Sequence, residues 1–353
     1  MKRIAIVGAN GQVGTEVCLR LREVKGVEVV PIARNPSGSA FLRLNGVDCR
    51  HGRIADTNEA GQLIGDCDAV VNFALSTSGV PAVDRDVNRE ILRGVVAGAK
   101  HGVPIIFAST MMVYAPGTKL RLPDSYGMEK LIAERTLSRL CRRSHPFFVF
   151  RLGHVLGDLQ NLTRKIKNEI REQKVALPRE GMTASNTVFT STIVEAILQA
   201  VNGAQSPGTY DLITSPQWSW REVYTHYASQ AGAPLVLQTA SRASERPHSK
   251  GLLRRSLAYL RRSQSLRERL MFFLAYLPVE VNQRVYTRYL QTRALSEIDA
   301  LRESQKVELS VPDWREIRTH PMPGLDDALT LESRYPLRCP AIYATTRIMR
   351  SVH

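Results

Sequence analysis

Long apolar runs are missing from this chain. The longest candidate, Met271 to Val279, is too short to span a bilayer and contains Pro278. Cysteine is scarce and scattered: Cys18, Cys49, Cys67, Cys141 and Cys339 form no CxxC pair. That argues against a zinc site and against a disulfide framework, and it fits a reducing cytosol. No signal peptide is visible, because MKRIAIVGANG runs straight into a strand and its turn, so a cytoplasmic protein is expected, one still able to touch a membrane surface. His51, His101, His145, His226 and His320 lack metal-ligand spacing and read as loop or surface residues, so no metal site is expected. Internal repeats and low-complexity tracts are also missing.

What is present is a globular composition. With 353 residues, 43% hydrophobic and 23% charged, the chain can form one large or two ordinary domains around a sizeable core. Its formal charge of +15 is uneven, since residues 241–293 hold twelve Lys/Arg against three Asp/Glu. Such an excess favours anionic partners such as nucleotide phosphates, acidic lipids or nucleic acid, although a solvated helix face explains it equally simply.

The first half alternates short apolar runs with helical patterns, as a parallel sheet with crossover helices does. Strands are predicted at Arg3–Val7, Val27–Ala33, Ala69–Ala74, Val103–Ala108, Phe147–Leu152 and Thr209–Ile213, and helices over Gly11–Val24 and Asp124–Leu140. Residues 188–201 read as a strand edge followed by a helix. The expected fold class is α/β, a doubly wound parallel sheet (Rossmann) over 1–215, with 157–187 contributing to a substrate side. Residues 216–353 read as a smaller, mostly helical and basic C-terminal region. Within it, 252–304 suit two or three helices and 310–353 are proline-rich with weak periodicity. Trp218 and Trp220 flank a helix start and suit packing. Asp66 and Asp68 suit a turn before the strand at Ala69.

Two motifs carry chemistry. Gly8-Ala9-Asn10-Gly11-Gln12-Val13-Gly14 follows a strand and opens a helix, where glycines permit a tight turn and the helix N-terminus attracts a pyrophosphate. Tyr126 and Lys130 are four residues apart in YGMEK and therefore share one helix face. An unperturbed tyrosine, with a pKa of roughly 10, is a poor acid or base at neutral pH, and an adjacent ammonium favours its phenolate. Together the motifs point to proton transfer coupled to hydride transfer.

The order of marks along the chain resembles an extended short-chain dehydrogenase/reductase of the NAD-dependent epimerase/dehydratase superfamily. GANGQVG is followed by Asn72-Phe73-Ala74, Asn88, Ala108-Ser109-Thr110 with Val113-Tyr114, YGMEK with Leu131-Ile132-Ala133-Glu134, Arg151 to Gly157, and FTSTIVEAI from Phe189. These marks cover roughly residues 1–215. The resemblance implies that Gly8, Asn10, Gly11, Gln12, Val13 and Gly14, with Ala74 and Lys130, contact an NAD(P) cofactor. It makes Tyr126 the general acid/base, Lys130 the residue that holds the nicotinamide ribose and depresses the tyrosine, and Thr110 the hydroxyl that binds the substrate oxygen, with Ser109 as the runner-up. It also implies a possible homodimer through helices of the sheet domain.

Departures narrow the expectation. Met111 and Met112 stand where dehydratases carry Asp-Glu, so 4,6-dehydration is disfavoured. Arg53 replaces the acid of a GDxxD stretch, and His154 replaces the Asn that follows the family's Arg. The segment between Tyr114 and Tyr126 is short. Arg34 ends the second strand where NAD-preferring folds place an acid, and an arginine suits a 2′-phosphate. The balance therefore tilts to NADP, with Ser37 as a helper; stacking of Arg34 on adenine, which tolerates both cofactors, is the alternative.

The leucines and arginines of 252–293 alternate in a basic amphipathic pattern. Packing on the rest of the protein and contact with an anionic membrane surface both suit it, and nucleic acid is disfavoured because no aromatic-rich binding module is present. The reading as a whole is an NAD(P)-dependent oxidoreductase or epimerase acting on a sugar-like, nucleotide-linked carbonyl/alcohol pair, a small phosphate-bearing substrate. Its alternative is a non-catalytic NAD(P)-binding sensor with a basic tail.

Overall fold

The computed structural model describes residues 1–76, 81–114, 125–238 and 320–338. Seven strands form one parallel sheet: β1 (Lys2–Val7), β2 (Val27–Ala33), β3 (Arg50–His51), β4 (Ala69–Asn72), β5 (Ile105–Thr110), β6 (Phe147–Leu152) and, last in space, β9 (Gly208–Leu212). The spatial order is β3-β2-β1-β4-β5-β6-β9, which reverses direction between β1 and β4. Ligands of open α/β sheets bind at such a switch point, outside the carboxyl ends of the strands. A separate parallel pair, β7 (His154–Leu156) with β8 (Thr187–Phe189), stands beyond β6.

The strands are apolar on both faces because helices cover both. On one side, α1 (Gln12–Leu21) and α7 (Thr190–Val201) bury Val17, Leu21, Ile193 and Ile197 against Ile4, Ile6, Ile106 and Phe150. On the other side, α3 (Thr57–Ile64), α4 (Pro81–Gly98) and α5 (Ser125–Cys141) bury Leu63, Leu92, Val95 and Leu137 against Ala5, Val70 and Phe107. A short helix, α2 (Ala40–Leu44), precedes β3.

Several boundaries moved from the expected ones for visible reasons. β5 begins after Pro104, which has no N–H for the ladder, and continues through Ser109 and Thr110, which pair with Arg151 and Leu152 of β6. α1 stops at Leu21, three residues short of the expected end. Asp66 and Asp68 do lie in the turn before β4, where Asp68 accepts the Arg3 backbone N–H at 2.8 Å and Asp66 pairs with Arg3 and Arg50.

A third layer of packing joins α6 (Asn161–Arg171), which the sequence pattern does not mark, and α8 (Trp220–Gln230). Ile166 and Ile170 meet Trp220, Val223, Tyr224 and Tyr227 in a third core. Ser219 caps α8 with Glu222 in a reciprocal capping box, and Trp220 is fully buried at the first position. The proline-rich end holds a further short helix, α9 (Ala328–Arg334), capped by Asp327. Its segment returns to the sheet, with Met322 in the α1–α7 core and Asp211 of β9 bonded through N–H to the His320 carbonyl at 2.9 Å. The basic stretch 252–293 lies outside the described residues. Among the described residues, no helix is long and apolar enough to cross a membrane.

Candidate active site

The glycine turn sits over the carboxyl end of β1 at the switch point. Gly8 has φ +80°, and a Cβ there would lie 2.7 Å from the Ala74 backbone nitrogen at the end of β4. A Cβ on Gly14 would lie 2.4 Å from the Gly8 carbonyl oxygen. These two glycines let strand, turn and helix close on one another. Gly11 is different: its Cβ would meet only the Gly8 oxygen, at 3.4 Å, and its outer face is open. Gly11 is also the N-cap of α1, and among the described residues no side chain caps that helix. Its first-turn N–H groups are thus available to an anion, and the residues present fit the pyrophosphate of a dinucleotide.

Around the turn, Asn10 is exposed and lies against the loop after β2, its Nδ2 only 3.1 Å from where a Cβ of Gly38 would be. Arg34 opens that loop and is exposed, as is Ser37. Gln12 and Val13 are half-buried on the first turn of α1. Ala74 donates its N–H to Asn72 Oδ1 at 2.9 Å, while Asn72 Nδ2 is buried and has no acceptor among the described residues. Asn88 of α4 grips the loop between β4 and α4, accepting the Ser76 N–H at 2.6 Å.

α5 brings Tyr126 and Lys130 together beside the end of β5. Tyr126 is 42% exposed, whereas Lys130 is buried beneath it with its Nζ 5.9 Å from the tyrosine ring centre. The ammonium donates to the Ala108 carbonyl at 2.6 Å and lies 4.8 Å from the Phe107 ring centre. Burial lowers the lysine to about 8, with Glu134 acting in the opposite sense. Strand alternation separates the two hydroxyl candidates. Ser109 is turned toward α5 and donates to Glu134 Oε1 at 2.5 Å, which engages it away from the strand end. Thr110 is the last residue of β5, half-buried, and its Oγ1 accepts the Met112 N–H at 3.2 Å. Met111, which follows it, is buried.

His154 begins β7 with its ring 5.3 Å from Trp220, and burial lowers it to about 4. It is therefore a neutral group near pH 7 and offers no cation to a phosphate. Among the described residues, no three His, Cys, Asp or Glu side chains converge as metal ligands.

A family model described as "NAD dependent epimerase/dehydratase family" matches residues 4–212. The chain belongs to that family. It is accordingly an NAD(P)-dependent enzyme of the extended short-chain dehydrogenase/reductase type. Solved structures share the family's fold. UDP-glucuronic acid 4-epimerase from Bacillus cereus, in complex with UDP-glucuronic acid and NAD, is 18% identical with a TM-score of 0.52, over 67% of this chain and 85% of that one. The Bordetella bronchiseptica enzyme WbmH in complex with NAD+ is 23% identical with a TM-score of 0.50, over 66% and 82%. The Bordetella bronchiseptica enzyme WbmG in complex with NAD and UDP is 18% identical with a TM-score of 0.51, over 67% and 80%. Comparison with curated proteins returned no match.

Two buried polar networks flank the family's motifs, and sequence reasoning misses both. In the first, Arg151 of β6 holds Glu134 through two hydrogen bonds, at 3.1 and 2.7 Å, and donates to the Tyr114 hydroxyl at 2.9 Å. Tyr114 in turn donates to Asp211 of β9 at 2.9 Å. Burial and the Asp211 carboxylate keep this phenol protonated, raising it above the usual tyrosine range although Arg151 opposes them. In the second, Glu16 of α1 is fully buried and accepts from Arg20, Thr190, Gln160 and the backbone N–H groups of Asp158 and Leu159. Gln160 also donates to the Gln12 carbonyl at 3.2 Å, which ties the first turn of α1 to the loop entering α6. The available signal was a carboxylate and a guanidinium four residues apart inside an otherwise apolar helix; Asp211 gave none.

Proposed function

We propose that this enzyme oxidises and reduces an alcohol/carbonyl pair on a nucleotide-linked sugar, as a reductase or as an epimerase, with Tyr126 as its acid/base. The observation that carries the reading is the buried lysine ammonium under a solvent-accessible tyrosine beside the end of β5. Family membership supports it. So do the ligands named with similar folds, which are NAD together with UDP-glucuronic acid or UDP.

Bound NAD(P) supplies the two-electron acceptor or donor. The protein's own work is on the proton. Tyr126 takes it from the substrate hydroxyl in oxidation and returns it to the carbonyl oxygen in reduction. Lys130, cationic at neutral pH, favours the phenolate that the oxidative direction requires. Thr110 orients the substrate oxygen. Elimination of water needs an acid and a base after Thr110, and Met111 and Met112 supply neither, which disfavours 4,6-dehydration.

Mass spectrometry of the small molecules released from the purified full chain tests the reading. Copurifying NAD(H), with turnover of UDP-sugars in the absence of added cofactor, marks an epimerase. An empty site with cofactor-dependent carbonyl reduction marks a reductase. No redox change with any carbonyl or nucleotide-sugar substrate refutes both. For the cofactor, Arg34 supplies a guanidinium suited to a 2′-phosphate and the protein prefers NADP. Arg34→Ala then weakens NADPH binding at least about tenfold more than NADH binding, in line with the worth of one charge-assisted contact. Equal losses in a fluorescence titration remove the preference.

A further inference from the structure

Lys130 poses an electrostatic problem. Its side chain is 4% exposed, and among the described residues its one hydrogen bond is to a neutral carbonyl, that of Ala108. An ammonium buried this way tends to lose its proton, and a neutral lysine would do nothing for a phenolate. Among the described residues the groups around it are few. Tyr126 and Glu134 flank it on α5, and β5 offers the Phe107 ring, the Ala108 carbonyl and the Ser109 hydroxyl. Arg151 of β6 is turned onto Glu134, and Arg85 of α4 is engaged by Glu129.

We propose that Glu134 is a positioning residue, the buried counter-charge that keeps Lys130 cationic beneath Tyr126. Tyr126, Lys130 and Glu134 follow one another at four-residue spacing on one face of α5. Glu134 is itself buried and is fixed by three donors, the Ser109 hydroxyl and two guanidinium N–H groups of Arg151. Arg151 is anchored by Tyr114, and Tyr114 by Asp211, so the far end of the network cannot swing. Along this path the charges alternate in sign, Lys130, Glu134, Arg151, Asp211, and sum to zero, which is how several charges can share a low-dielectric region. Arg151 serves a second purpose: by pairing with Glu134 it holds the carboxylate one turn away from Lys130, so the ammonium keeps its remaining N–H groups for ligand. In the reading above, that ligand is the cofactor ribose.

The proposal rests on that reading for its meaning, but its test does not. The test follows the titration of Lys130 by heteronuclear NMR in the full chain carrying ¹³Cε-lysine, with the resonance assigned through Lys130→Arg. In the unmodified protein the midpoint lies above pH 7, and a midpoint below 7 overturns the proposal without any variant. Glu134→Gln, and the paired change Glu134→Gln with Arg151→Met that does not leave the Arg151 guanidinium without its carboxylate, each lower the midpoint by about one pH unit or more. Glu134→Asp, which keeps the charge, restores most of it. Coincident titrations of the wild-type and Gln chains overturn the proposal. Because the readout is the lysine itself, a finding that Tyr126 is not the acid/base would leave this result standing, so the two failures are distinguishable.

Discussion

Replacing Tyr126 with Phe lowers kcat roughly a hundred- to ten-thousand-fold, the range expected when a positioned acid/base is removed, and leaves cofactor affinity unchanged. The substitution deletes one oxygen from a ring that is 42% exposed, so it creates no core cavity. Lys130 keeps its bond to the Ala108 carbonyl and its contact with the Phe107 ring, neither of which involves the phenol. The helix that carries it is anchored lower down by Ala133, Leu137 and Cys141 in the core. The expected result is therefore a folded, cofactor-binding and nearly inactive enzyme. Steady-state kinetics beside a fluorescence titration of NAD(H) read both quantities. Retained turnover would refute the acid/base assignment, and lost cofactor binding would assign Tyr126 to binding.

Gly14→Ala should damage fold and cofactor binding together. The new methyl would sit 2.4 Å from the Gly8 carbonyl oxygen and 3.1 Å from the Ala9 Cα, both backbone atoms. Relief requires α1 to lift from β1 or the Gly8 peptide to rotate, and Gly8 is pinned against the Ala74 backbone. Overpacking of this kind costs about 1–3 kcal/mol, and a shifted α1 no longer presents its N–H groups to the pyrophosphate. We expect a lower Tm and at least about tenfold weaker dinucleotide binding. Gly11→Ala is the control. Its methyl meets only ordinary contact at 3.4 Å, so the Tm should hold while binding falls because the open face is now occupied. A Gly14→Ala protein with unchanged Tm and affinity would show that the turn tolerates what its geometry forbids.

Much of the sheet is legible in the sequence alone. β2 and β6 fall on their expected residues, and β1 begins one residue early. These strands are buried on both faces, so their apolar runs are continuous and bounded by turn residues. α6 escapes notice because only Thr163, Ile166 and Ile170 of its eleven residues are buried, and lysines and arginines fill much of the rest. α9 escapes it because seven residues between prolines leave too short a window for a period to show.

The motif residues fared differently from their neighbours. Gly8, Gly11, Gly14, Tyr126 and Lys130 are tied by local spacing, either one turn of chain or one turn of helix, and local spacing is what a sequence states directly. The fold family follows from that spacing and from the order of the marks. The different surroundings of Ser109 and Thr110 do not, because adjacent residues point to opposite faces and only the packing of α5 on β5 shows that Ser109 meets Glu134. Nor does the partnership of Glu134 with Arg151, Tyr114 and Asp211, residues drawn from α5, β6, the segment after β5, and β9. Local spacing therefore carried the family's marks within the sequence itself. The charge network beside Lys130 was decided by tertiary structure, since a buried charge takes its partner from whatever element the fold lays beside it.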